Sequence, residues 1–131
     1  MLIQDMLTEK RLHQLDGMVA EIMPAELNKK LEAEEIFEVI EISEPHDFEQ
    51  AHIDGALNFQ IESVVETALR RFEKFEQIVL YASKAASGVA SVAAKRLQRA
   101  GFTNVLVLRG GKEAWEKEGL PLAGRNEAAA A

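Results

Sequence analysis

The chain contains no cysteine. That single absence excludes disulfides, cysteine-ligated zinc, iron–sulfur clusters and every thiol nucleophile. Histidine is scarce: His13, His46 and His52 are the only three, and they are spread along the chain. A histidine metal site is therefore not expected, nor is any cofactor. Aromatic residues are 6% of the total and prolines number three. The opening MLIQDMLTEKR has no apolar stretch of the length a signal peptide needs, and no run approaches the ~20 residues of a membrane span. A cytoplasmic location is the resulting expectation. Positive charge is outweighed, with 15 Lys+Arg against 22 Asp+Glu and a net charge of −7. Nucleic-acid affinity comes largely from neutralising phosphates, so a nucleic-acid partner is not expected. An anionic membrane surface is a poor match for the same reason.

What remains is an ordinary globular composition: 131 residues, 47% hydrophobic and 28% charged. The length predicts one domain, able to bury roughly two thirds of its unfolded surface without a disulfide or a metal.

Periodicity organises the chain. Ile61, Val64, Val65, Ala68, Leu69 and Phe72 fall on one face of a helix spanning 61–72. Val89, Val92, Ala93, Leu97 and Ala100 predict a second helix, closed by Gly101. Between them, 77–81 (QIVLY) is short, apolar and β-branched, as a strand buried on both faces must be. Residues 105–108 (VLVL) match it, as do 39–42 (VIEI), with one acid inside. Residues 56–59 form a weaker fourth strand. Pro24 is placed to open a helix over 25–31. Ser43-Glu44-Pro45 is placed to cap and open a short helix through Glu49. A last short helix spans 113–118, closed by Gly119 with Pro121 beyond. Strands alternating with helices imply βαβ units, a parallel sheet and helices on both faces.

Two terminal segments stand apart. Leu2, Ile3, Met6, Leu7, Leu12, Leu15, Met18 and Val19 pattern the first ~20 residues as an amphipathic helix. It either packs on the same domain or makes a dimer or partner contact. Residues 124–131 end in a low-complexity alanine run and are expected to be a disordered tail. The domain proper is then 21–123.

Ligands of a parallel α/β sheet sit beyond the carboxyl ends of the strands. The loop leaving the 77–81 strand is Ala82-Ser83-Lys84-Ala85-Ala86-Ser87-Gly88, and it runs into the head of the 89–100 helix. Small residues let the backbone curl, and its amides together with the helix dipole favour an anion. Lys84 is the loop's only fixed charge; Ser83 and Ser87 add hydroxyls. Each has a plainer reading: Ser87 as helix cap, Ser83 as turn residue, Lys84 as solvated surface. A serine nucleophile would need a base within reach, and there is no G-x-S-x-G elbow. His52 sits in a turn and is expected to brace it; His46 follows Pro45 on a surface helix. Gly110-Gly111 matches neither the P-loop nor the dinucleotide fingerprint, so it is read as a tight strand-to-helix turn, with Trp115 in the core.

Taken together these segments resemble the rhodanese-like domains. Glu41-Ile42-Ser43-Glu44-Pro45-His46-Asp47-Phe48 is similar to the family's Asp-Val-Arg-Glu-Pro-x-x-Phe segment. Ala51-His52-Ile53-Asp54-Gly55-Ala56-Leu57-Asn58 is similar to its Gly-His-Ile-Pro-Gly-Ala-x-Asn turn. Val79-Leu80-Tyr81 resembles the strand before the catalytic cysteine. Ala100-Gly101-Phe102-Thr103-Asn104-Val105, the stretch from Leu108-Arg109-Gly110-Gly111 to Trp115, and Gly119-Leu120-Pro121-Leu122 resemble the closing motifs. The likeness spans about residues 22–122. It implies a five-stranded parallel sheet with helices on both faces, and a short first strand near Ile22.

The departures bear most on function. The resemblance places the nucleophile at Ala82, and a methyl group cannot accept sulfane sulfur. Sulfur transfer is thus not expected of this chain, nor is the phosphatase chemistry that uses the same cysteine. The loop arginine is missing, with Ser87 near its place; Ser43 and Glu41 stand where the first motif has Arg and Asp. Two readings follow. One is a non-catalytic binding or regulatory module whose loop 82–88 takes a small anion or a protein segment. The other is a thiosulfate- or persulfide-dependent sulfurtransferase whose cysteine has been replaced. A purely structural role, as a homodimer through the N-terminal helix, is a third.

Overall fold

The computed structural model describes residues 19–124. Of the N-terminal helix expected over the first ~20 residues, only Val19 and Ala20 are described, and they are not helical; the rest of it, and all of the expected tail but Gly124, lie outside that range. Five strands alternate with five α-helices: β1 (Glu21–Ile22), α1 (Pro24–Glu32), β2 (Glu38–Ile42), α2 (Pro45–Gln50), β3 (Leu57–Phe59), α3 (Val64–Arg71), β4 (Ile78–Tyr81), α4 (Val89–Arg99), β5 (Val105–Leu108) and α5 (Gly111–Lys117). The strands form one parallel sheet in the order β1-β5-β4-β2-β3. Among the described residues, no helix is long and apolar enough to cross a membrane.

Strand alternation divides the core in two. Ile40, Ile42, Ile78, Leu80 and Val107 point to the face covered by α3 and α4, where they meet Val64, Ala68, Ala93 and Leu97. Val39, Val79, Tyr81 and Leu108 point to the other face and meet Leu27, Ile53 and Trp115. A strand covered on both sides is apolar except where a buried polar group finds a partner, which is why β4 reads IVLY with only the Tyr81 hydroxyl to satisfy.

Helix ends follow local chemistry. Pro24 opens α1, and Glu26 reaches back to the Met23 amide at 3.0 Å. Gly101 (φ 106°) follows the Ala100 cap of α4, and its amide donates to the Gln98 carbonyl at 3.0 Å.

The structure departs from the sequence reading at three helix starts. The helix expected over 61–72 begins as a separate 3-10 turn, Ile61–Ser63, and becomes α-helical only at Val64. Hydrophobic spacing reports which face is buried and is nearly blind to the tightness of a first turn. Ser43 does not cap α2: Glu44 holds that position, and the Ser43 hydroxyl donates to the Glu41 carboxylate at 2.5 Å. Pro45 takes the first helical position, which makes Glu44 the N-cap and leaves Ser43 one residue outside the helix. The last helix starts at Gly111 rather than 113, because Gly110 (φ 81°) and Gly111 (φ 65°) turn the chain directly into it.

At the start of β2, the half-buried Glu38 has its carboxyl pushed up from the ordinary range. Burial is the larger cause and the Glu76 charge the next, with Arg71 opposing. A carboxyl raised on folding takes up protons more readily folded than unfolded, so stability falls as pH rises through that window. We expect Glu38→Gln to stabilise the fold at pH 7 by up to about 0.5 kcal/mol after solvent screening. The gain should vanish below pH ~4, where the carboxyl is neutral. Urea unfolding at both pH values checks this; an equal gain at both would contradict it.

Candidate functional site

Ala82 follows the last residue of β4 and is 5% exposed. It lies at the base of a small cleft, about 60 Å³, that also takes in Lys84, Ser87 and Gly88 from the loop, Gly110 from the β5–α5 turn and Glu21 from β1. The cleft thus stands at the carboxyl ends of adjacent strands, as the topology predicts.

The loop 82–88 carries a 3-10 turn, Ala85–Ser87, and then Gly88 at φ 68°, the left-handed N-cap of α4. A helix begins with amides that have no intrahelical acceptor. In α4 the Val89 amide is met by Ser87 Oγ at 3.4 Å; Ala90 and Ser91, from the same turn, line the cleft. The Ser87 hydroxyl is itself committed, donating its proton to the Lys84 carbonyl at 2.9 Å. It shapes the loop instead of offering a donor to a ligand. Ser83 accepts from the Glu113 amide through its carbonyl at 3.1 Å, and the Ala82 carbonyl accepts from the Lys112 amide at 2.8 Å. The first two loop residues are therefore pinned to the head of α5. Lys84 is exposed and Ala86 exposed beside it. The structure brings one charge into the cleft that the sequence could not: Glu21 lines it together with Lys84, so the pocket's field is mixed rather than purely positive.

Directly behind the loop, on the Trp115 face of the sheet, is a buried polar cluster. Glu41 is fully buried in β2. Its Oε2 accepts from Lys112 Nζ at 3.0 Å and from the Ser43 hydroxyl. Lys112, almost fully buried at the start of α5, also donates to the Ala51 carbonyl at 2.6 Å and the Asp47 carbonyl at 3.4 Å. Tyr81, the register partner of Glu41, accepts the Ile53 amide on its hydroxyl at 2.9 Å. Burial, and then the Glu41 charge, push its phenol far above the ordinary tyrosine range, so it stays protonated. Asn58 and Gln60 close the cluster by donating to the Ser43 carbonyl at 2.9 and 3.0 Å.

Lys112 was not legible as a special residue in the sequence. The signal was indirect: an acid inside the buried strand 39–42 requires a cation, and nothing local says which. The histidines behave as expected. His52 stacks on Phe48 at 3.9 Å, and its Nδ1 lies 2.7 Å from the Phe48 carbonyl. Its backbone pairs with Ala123. His46 is exposed on α2; neither of these two histidines lines the cleft, and neither does Ser83. Trp115 is buried, its indole donating to the Pro121 carbonyl at 2.8 Å.

Comparison with known proteins agrees with this geometry. The rhodanese-like domain family matches residues 23–118. The rhodanese-like domain of the Alr3790 protein from Anabaena sp. is 30% identical, with a TM-score of 0.76 over 85% of this chain and 83% of that one. The BH2092 protein from Bacillus halodurans is 25% identical, with a TM-score of 0.76 over 91% and 87%. A thiosulfate sulfurtransferase from Pseudomonas aeruginosa is 27% identical with a TM-score of 0.72; the match covers 81% of this chain but only 20% of that larger one.

Proposed function

The chain belongs to the rhodanese-like domain family, and from that premise we propose that it is a non-catalytic binding or regulatory module whose loop 82–88 accepts a small oxyanion or an anionic protein segment. One observation carries this reading: the family's nucleophile position, at the base of the cleft, is Ala82, and the chain has no thiol anywhere. In sulfur transfer from thiosulfate, a thiolate attacks the sulfane sulfur, the S–S bond breaks and sulfite leaves. Cyanide then takes that sulfur as thiocyanate and restores the thiolate. Alanine can perform neither half. What the cleft retains is a head-of-helix amide turn and Lys84. Both favour an anion, while Glu21 weakens the field and argues for modest affinity.

The test is a paired one. The chain as it stands and Ala82→Cys are assayed with thiosulfate and cyanide, with intact mass reporting any bound sulfur. Sulfate, thiosulfate and phosphate are titrated in parallel against a chloride control, following the amide resonances of 83–91. We expect no turnover by the unsubstituted chain and saturable shifts at the loop. Shifts no larger than the chloride control would remove the anion site. Turnover by Ala82→Cys would show a loop still shaped for sulfane sulfur, and would favour a sulfurtransferase whose cysteine has been replaced.

A further inference from the structure

At the opposite end of the sheet from the loop, a groove of about 460 Å³ runs across the starts of β2, β4 and β5. Two large apolar side chains line it in the open: Ile36, 100% exposed, and Phe75, 73% exposed. Leaving two such side chains in water forgoes their transfer free energy, and their place in one groove sets them apart from scattered surface residues. Two carboxylates line the same groove, Glu38 and Glu76, both half-buried. We propose that the groove docks a segment of a partner protein in which an arginine or lysine is flanked by apolar side chains.

Charge selects that chemistry. The lining holds one cation, Lys30, against the acids Glu35, Glu38 and Glu76. Lys30 is already engaged: its Nζ lies 2.6 Å from Glu35 Oε1 and 4.9 Å from the centre of the Phe37 ring. Glu38 has no such relief within the groove. Burial and the Glu76 charge hold its carboxyl above the ordinary range, and Arg71, which opposes them, does not line the groove. A cation arriving from outside offsets that repulsion, whereas an acidic segment adds to it. A second copy of this chain is disfavoured on the same ground, since it would bring its own acidic groove, on a chain of net charge −7.

The exposure of Phe75 is built into the backbone. The Lys74 carbonyl accepts the Thr103 amide at 3.0 Å, and the Gln77 carbonyl accepts the Glu38 amide at 2.9 Å. The chain is thus tied to its neighbours on both sides of Phe75, and a partner meets a surface that needs little ordering. From β5 to β2 there are two strand spacings, on the order of 10 Å, which five extended residues, ~17 Å long, span. Two bare apolar side chains and a carboxylate in an unfavourable field each lower stability. Such features collect where binding requires them.

The test titrates the peptide acetyl-FRLRF-amide into the isotope-labelled full chain, with acetyl-FELEF-amide as the control. The expected result is saturable shifts of the amide resonances of 36–38, 75–78 and 104 with the first peptide and none with the second. Phe75→Ser should weaken binding about tenfold, the effect of losing one buried aromatic contact. Glu38→Gln should weaken it about threefold. The same substitution is expected to stabilise the fold, so a loss of affinity there is not a loss of folding. No saturable shift, equal binding of the two peptides, or an affinity indifferent to both substitutions would overturn the proposal. Sedimentation showing self-association that Phe75→Ser abolishes would also overturn it, by seating a second copy in the groove. None of these outcomes depends on whether the loop 82–88 binds an anion.

Discussion

Lys112→Met is expected to destabilise the fold by about 3–5 kcal/mol, a large fraction of a small domain's stability. Methionine fills much of the lysine stem's volume, so the loss is electrostatic rather than a cavity. Glu41 would remain fully buried with its cation gone. Its Oε1 has no hydrogen-bond partner among the described residues to soften that. The Ala51 carbonyl would lose the Lys112 ammonium donor as well. Removing both charges, as Lys112→Met with Glu41→Leu, should recover part of the loss, because the expensive state is a lone buried charge rather than an absent pair. Urea unfolding of the two single variants and the double variant gives the coupling directly. A single-variant cost under about 1 kcal/mol would mean that water reaches the pair.

The cluster also bears on the cleft. The backbone amide of Lys112 holds the Ala82 carbonyl while its side chain holds β2 and the 47–51 segment. One residue thereby ties the nucleophile position to the sheet and to α2. Lys112→Met should broaden or shift the amide resonances of 82–84 even at temperatures where the variant remains folded.

The second large effect is expected at Gly111. A Cβ there would lie 2.4 Å from the Ala82 carbonyl oxygen, and the residue sits at φ 65°. Both penalties act together: a left-handed conformation costs a non-glycine residue ~1–2 kcal/mol, and the clash is with backbone, which cannot swing aside. Gly111→Ala should therefore cost about 3–4 kcal/mol, near the upper range for single substitutions. Gly119→Ala supplies the comparison, since it has a similar φ of 78° and nothing within 4 Å of an added Cβ. It should cost only the conformational part, ~1–2 kcal/mol. Equal losses at the two sites, measured by thermal or urea unfolding, would mean that α5 moves off the loop freely. Unequal losses establish the close approach that keeps the loop's first residues in place.

Much of this architecture is legible in the amino-acid sequence. The strands at 78–81 and 105–108 stand out because a short strand buried on both faces reads as a continuous apolar run. The helix at 89–99 does so because one face repeats every three to four residues and ends at Gly101. Strand ends came within a residue: Gln77 and Ala56 lie just outside β4 and β3, and Glu38 just inside β2. Helix starts were harder. Ser43 reads as a cap because Ser is a favoured N-cap residue, but Pro45 at the first helical position puts Glu44 there, and the Ser43 hydroxyl donates to the buried Glu41 instead.

The site divides in the same way. By itself the sequence determined what chemistry is missing: an absent thiol is a property of composition, and no folding can restore it. It also determined which loop to inspect, since strand-to-helix connections are local. The tertiary structure alone decided which charges meet. Lys112 finds Glu41 across 71 positions of chain, Glu21 comes to line the same cleft as Lys84, and Gly111 comes to lie against Ala82. Periodicity and turn chemistry act over a few residues and leave their mark in the order of the letters. Contacts between distant segments depend on the sheet order β1-β5-β4-β2-β3, which sets neighbours in space without regard to separation along the chain.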